Sequence, residues 1–124
     1  MASLLIADDS ASTRRLLSRA LELAGFDVAL AEDGNQALTR IRELSPQLVV
    51  LDAQMPHLDG YEVCRQVRAD DGLDVQPHII MLTAGGRETD RQRAEQAGVN
   101  EFLTKPFSPS QLVERVAEIL GEAP

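Results

Sequence analysis

Four apolar residues, Leu48-Val49-Val50-Leu51, run directly into a carboxylate, Asp52. A short continuous apolar run fits a strand buried on both faces of a parallel sheet, although periodicity alone leaves a buried helix segment open. Pro46 and Pro56 on either side favour the strand, because neither lets a helix run through. A buried strand that ends in Asp sets that Asp at the rim of the sheet. A charge there needs a partner, so the chemistry of this chain is sought around Asp52.

Short apolar runs alternate with helical patterns five times along the sequence. Residues 4–7 form the first run and end at Asp8-Asp9. A helix follows, with Leu16, Leu17, Ala20, Leu21 and Ala24 on its buried face and Gly25 as its stop. Residues 26–31 read as a strand at the sheet edge. Ala37, Leu38, Ile41 and Leu44 mark a second helix that Pro46 ends. After Asp52, Asp59 and Glu62 form a capping-box-like pair, and Val63, Cys64 and Val67 face inward on the third helix, which Asp70-Asp71-Gly72 closes. Residues 78–82 form the fourth strand, ending at Thr83. Residues 87–97 form helix four, and residues 102–104 form strand five, running into Lys105-Pro106-Phe107. The last helix has Ser108 as N-cap, Pro109 at its first position, Gln111 completing the box and Phe107 with Leu112 as a hydrophobic staple. Its stripe is Leu112, Val113, Val116, Ile119 and Leu120, and Gly121 ends it.

Five such units with short connections predict an α/β fold, an open five-stranded parallel sheet covered on both faces. The 124 residues make one domain, read as 1–121, with 122–124 as a C-terminal tail. Aromatic residues are only 3 %, so the core is aliphatic. The net charge of −8 argues against nucleic acid as a direct partner. The lone Cys64 allows no internal disulfide and reads as core, and no apolar run approaches membrane-spanning length. The expectation is a cytoplasmic protein with no membrane partner. His57 and His78 lack metal-like spacing and read as structural.

Right-handed crossovers bring every strand's C-terminal end to one rim. Asp8, Asp9, Asp52, Thr83 and Lys105 all sit at or just past such an end. With strand order 2-1-3-4-5, the acidic pair and Asp52 face each other across the switch point. Three clustered carboxylates either hold a proton or share a cation, and oxygen donors beside a phosphate suit Mg²⁺, for which Mn²⁺ can substitute. Asp52 can then attack a phosphoryl group in line, with Lys105 and Thr83 holding the phosphoryl oxygens. Each residue also has a plainer use. The Asp pair before Ser10 can cap a helix, Thr83 can shape a turn, and Lys105 can be a solvated rim charge. Five of them at matching positions of one rim make coincidence a poor account.

Asp8-Asp9-Ser10, Asp52 after its apolar run, Met55-Pro56 with Asp59-Gly60, Thr83-Ala84 and Lys105-Pro106-Phe107 occur in this order. In that combination the chain resembles a response-regulator receiver domain, the CheY-like phosphoacceptor of two-component signalling. The resemblance implies a flavodoxin-like three-layer (βα)5 sandwich with strand order 2-1-3-4-5. It implies Mg²⁺ held by Asp9, Asp52 and the backbone carbonyl of Gln54, with Asp8 acting mainly through water. It implies phosphotransfer to Asp52 from a histidine kinase or phosphotransfer protein, and a cis peptide before Pro106. Phe102 matches the aromatic switch that turns inward as Thr83 moves to the phosphate. Gln54 and Gly85 match the positions that tune dephosphorylation. Output to a downstream effector protein or domain, and possible homodimerisation, would use the face of helix four, strand five and helix five. On this reading the chain is a signalling switch rather than an enzyme.

Other readings fit less well. A flavin or nucleotide binder needs a Gly- or hydroxyl-rich loop after strand one, where this chain has Asp8-Asp9. A metal-dependent phosphatase with an aspartate nucleophile needs that nucleophile on strand one and a larger cap. A phosphorylation-independent interaction module of the same fold remains the alternative, although the intact set of site residues weighs against it. Helix four has no large apolar side chain from Arg87 to Ala97. It buries little stabilising area, so it is expected to be the least firmly anchored helix and the one that moves on activation.

Overall fold

The computed structural model describes residues 3–84 and 88–121. Its elements are β1 (Ser3–Ala7), α1 (Ala11–Leu23), β2 (Asp27–Ala31), α2 (Gly34–Leu44), β3 (Leu48–Asp52), α3 (Gly60–Ala69), β4 (His78–Thr83), α4 (Glu88–Ala97), β5 (Glu101–Thr104) and α5 (Pro109–Leu120). The five strands are parallel in the order β2-β1-β3-β4-β5. The expected tail at 122–124, Gly85 and Arg87 lie outside the described residues.

Strand alternation sorts the core into two layers. Leu5, Ala7, Val49, Leu51, Ile79 and Met81 pack with α2, α3 and α4. Leu4, Ile6, Leu48, Val50, Ile80 and Leu82 pack with α1 and α5. β3 is buried along its whole length, as its unbroken apolar run requires. β2 lies at the edge, and its Leu30 is exposed. Among the described residues no helix is long and apolar enough to cross a membrane.

The helix ends follow local chemistry. Ser10, Asp33, Asp59 and Ser108 each accept a hydrogen bond from the backbone N–H three residues on. At α5 the box is complete, because the Gln111 side chain also accepts from the Ser108 N–H. At α3 only half of the expected box forms, since the Glu62 carboxylate pairs with Arg65 at 3.0 Å. Gly60 opens α3 under tight contact: a Cβ there would lie 2.3 Å from the carbonyl oxygen of Asp52.

Two side chains depart from the periodic reading. Leu16 is 57 % exposed, because α1 rests on Leu17, Ser18 and Leu21 and turns its neighbour outward. Leu44 is also exposed, at the last position of α2 where Ser45 takes a left-handed conformation. Cys64 is fully buried, as expected, and burial pushes its thiol pKa up. His78 pairs with Glu101 at 2.8 Å, whereas His57 is an exposed loop residue with φ of 71°.

Candidate functional site

Two strand ends build an acidic cluster. Asp8 and Asp9 follow β1, and Asp52 ends β3, its hydrogen-bonded neighbour. One carboxylate oxygen from each of the three lies within 4.8 Å of the others. Asp8 and Asp52 are buried, at 1 % and 5 % exposure, whereas Asp9 faces solvent. The Asp8 Oδ1 accepts from the Ser10 N–H at 2.9 Å. Its Oδ2 is buried and, among the described residues, accepts no hydrogen bond. The Arg14 guanidinium donates to the Asp8 carbonyl at 2.7 Å and pairs with Glu32 at 3.5 Å, tying α1 to this loop.

Lys105, just past β5, reaches across to the cluster. Its Nζ lies 3.5 Å from Asp52 Oδ1 and 3.9 Å from Asp8 Oδ2. The Lys105–Pro106 peptide is cis. The Lys105 N–H donates to the Thr83 carbonyl at 2.7 Å, which joins the ends of β4 and β5. Asp52 Oδ1 also accepts from the Gln54 N–H at 3.2 Å. Burial and the neighbouring Asp8 push the Asp52 pKa up to about 6, against the Gln54 N–H and Lys105. One cation cannot offset three carboxylates, so the site favours a further positive charge. A buried carboxylate oxygen without a donor, beside two further oxygen donors, fits a hard divalent ion such as Mg²⁺ or Mn²⁺.

Thr83 ends β4, 6 % exposed. It borders a cleft of about 530 Å³ with Gln54, Asp59, Tyr61, Ala84, Asp90 and Arg93 among its lining residues. Phe102 on β5 packs partly buried against the α2–α3–α4 layer, with the Arg91 guanidinium 4.8 Å from its ring centre. Asp8, Asp9, Asp52 and Lys105 therefore meet at one point, with Gln54 and Thr83 beside them and Phe102 further out. Tyr61 is a residue that sequence reasoning passed over. It is buried at 4 % and lines the same cleft as Thr83. Its signal was modest: the chain's one tyrosine stands directly after Asp59-Gly60.

The sequence model of the response regulator receiver domain matches residues 4–117. A probable transcriptional regulator, ycf27, of Porphyra purpurea is 42 % identical over 120 residues, covering 97 % of this chain and 48 % of its own. The DNA-binding response regulator MtrA of Mycolicibacterium paratuberculosis is 43 % identical over 113 residues, covering 91 % of this chain and 48 % of its own. The chain thus spans about half the length of these curated relatives. Among solved structures, the chemotaxis protein CheY4 of Vibrio cholerae superposes with a TM-score of 0.87 at 32 % identity, covering 96 % of this chain and 98 % of its own. Strand order, rim chemistry and these likenesses agree, and the chain belongs to the response regulator receiver domain family of two-component systems.

Proposed function

We propose that Asp52 accepts a phosphoryl group from a histidine kinase or phosphotransfer protein, and that the resulting charge is read at the face of α4, β5 and α5. The observation that carries this reading is the buried Asp52 carboxylate, grouped with Asp8 and Asp9 and faced by Lys105 at 3.5 Å. In the transfer, an Asp52 carboxylate oxygen forms a bond to phosphorus as the N–P bond of the donor phosphohistidine breaks in line. The Lys105 ammonium and the Thr83 hydroxyl take up the phosphoryl oxygens. Asp9, Asp52 and the Gln54 carbonyl would hold Mg²⁺, with Asp8 acting on it through water. When bound, the ion neutralises acidic repulsion and lets a phosphate enter. Gln54 lies where it can screen an attacking water, and with Gly85 it sets the lifetime of the aspartyl phosphate. Phe102 turns inward as Thr83 moves.

Residues 1–121 act as one switching unit in the cytoplasm. The half-length match to a relative named as a DNA-binding regulator supports an effector, in cis or as a separate protein, that carries any contact with nucleic acid. The test is incubation with Mg²⁺ and acetyl phosphate followed by intact mass. One phosphoryl adduct is expected in the wild type, and none in Asp52→Asn or after chelation of the metal. An adduct that survives Asp52→Asn unchanged would place the phosphoacceptor elsewhere.

A further inference from the structure

The two ends of α4 are held in different ways. Its start follows β4 on the Asp52 rim, and its end leads into β5 at the opposite rim. Glu88, Thr89 and Gln92 are exposed, and the buried residues of the helix, Ala94 and Ala97, lie in its second half. Just before them, Arg93 makes charged contacts open to solvent. Its Nη2 lies 3.6 Å from Asp59 Oδ2, and its guanidinium lies 4.1 Å from the Tyr61 ring centre.

The far end is closed off by hydrogen bonds. Gly98 takes a φ of 90°, its N–H donates to the Glu95 carbonyl at 3.1 Å, and the Val99 N–H donates to the Ala94 carbonyl at 3.0 Å. That pairing is a Schellman turn. Arg68, near the end of α3, grips it. Its Nε donates to the Gly98 carbonyl at 2.8 Å and its Nη2 to the Asn100 side-chain oxygen at 2.7 Å. Its Nη1 donates to the Gln76 side-chain oxygen and the Pro77 carbonyl, each at 2.9 Å. The same Asn100 oxygen accepts from the Ile79 N–H at 2.7 Å. One planar guanidinium thus joins α3, the entry to β4 and the turn from α4 to β5. The fit is close, since a Cβ on Gly98 would lie 2.7 Å from Arg68 Cγ.

We propose that Arg68 is a positioning residue that pins the C-terminal end of α4, so that phosphorylation swings the helix about Gly98 and displaces its end on the Asp52 rim. The proposal rests on Asp52 being the phosphoacceptor. Hydrogen bonds from a charged donor are worth more than exposed ion pairs, so the Arg93 contacts yield before the pin does. A ten-residue helix is about 15 Å long, and displacement about a fixed end grows along that length. A contact kept in both states favours neither. Arg68 therefore sets where α4 turns, not how readily it turns.

¹⁵N NMR of the whole chain tests this, at rest and with beryllium fluoride and Mg²⁺ as the phosphoryl mimic. Residual dipolar couplings should show the α4 axis turned relative to α5. The Arg68 Nε–H signal should keep its exchange rate within about twofold, because its bond to Gly98 persists. Arg68→Lys keeps the charge but loses the planar fork. It should speed exchange of the Val99 and Asn100 amides on the order of tenfold at rest while leaving α5 amides unchanged. It should leave the half-saturating beryllium fluoride concentration within about twofold. An α4 axis that does not turn, an Arg68 Nε–H released on adding the mimic, or a larger shift in saturation would each overturn the pin while leaving Asp52 as phosphoacceptor. So would Val99 and Asn100 amides that gain no more exchange than those of α5. Failure of the wild type to form any acetyl phosphate adduct would overturn both.

Discussion

Asp52 is kept in a place that disfavours its charge. Burial and Asp8 raise its pKa from 3.8 to about 6. A carboxyl with a raised folded-state pKa contributes stability that is fully present below pH 3.8 and lost as pH rises through about 6. At neutral pH without a divalent cation, the charged form therefore costs about 2–3 kcal/mol. Asp52→Asn removes that charge and keeps an oxygen for the Gln54 N–H. The variant should melt roughly 5–10 °C above the metal-free wild type at pH 7.5, with a smaller gap at pH 5 and in the presence of Mg²⁺. Equal melting temperatures across these conditions would show the carboxylate already satisfied. The acids and Lys105 were legible in the sequence because each stands at a strand end, where a short apolar run stops and a charge begins. Tyr61 was not legible, since it comes to line a cleft with Thr83 only once α3 has packed on the sheet, and no sequence spacing encodes that meeting.

α4 and α5 show how unequally helices are held on one sheet. α5 carries a complete capping box and buries Leu112 and Val116. α4 buries only Ala94 and Ala97 among its described residues, and its charges do the rest, Arg93 on Tyr61 and Asp59, Arg91 over Phe102. Exposed ion pairs and cation–π contacts are each worth on the order of 1 kcal/mol or less. Amide hydrogen exchange should therefore be faster in α4 than in α5 in the resting protein, and should change in α4 on adding beryllium fluoride with Mg²⁺. Protection equal to that of α5 in both states would mark α4 as a fixed surface helix. The scarcity of large apolar residues in α4 was readable beforehand, but its contacts with Tyr61 and Phe102 were not. The opposite failure occurred at α1, where Leu16 fits a periodic stripe yet lies on the outside of the helix. Periodicity gives a face only to within about one residue's 100° step.

A parallel sheet gives the whole molecule two unlike rims. Every strand's C-terminal end, with Asp8, Asp52, Thr83 and Lys105, lies on one, while the loop at 70–77 and Asn100 lead into strands on the other. Five flexible Gly/Ser residues inserted after Gly72, in an exposed turn, should leave acetyl phosphate labelling within about twofold, because such insertions cost little loop entropy. The same insertion between Gln54 and Met55 should abolish labelling. Labelling lost at both positions would mean that the rims are coupled. Alternating strands and helices predicted the layers, and the crossover rule predicted a single rim, whereas the strand order came from the family pattern rather than from hydrophobic periodicity. The opening of α3 also bears on the rim. With only hydrogen on the Gly60 α-carbon, main chain rests on main chain: the α3 start lies against the Asp52 carbonyl, and its N–H donates to Ala53 at 3.0 Å. The acid's location is thus gauged by peptide groups, which every sequence shares. A side chain at position 60 would press on the Asp52 carbonyl itself, so the gap between α3 and that acid is set by what glycine lacks.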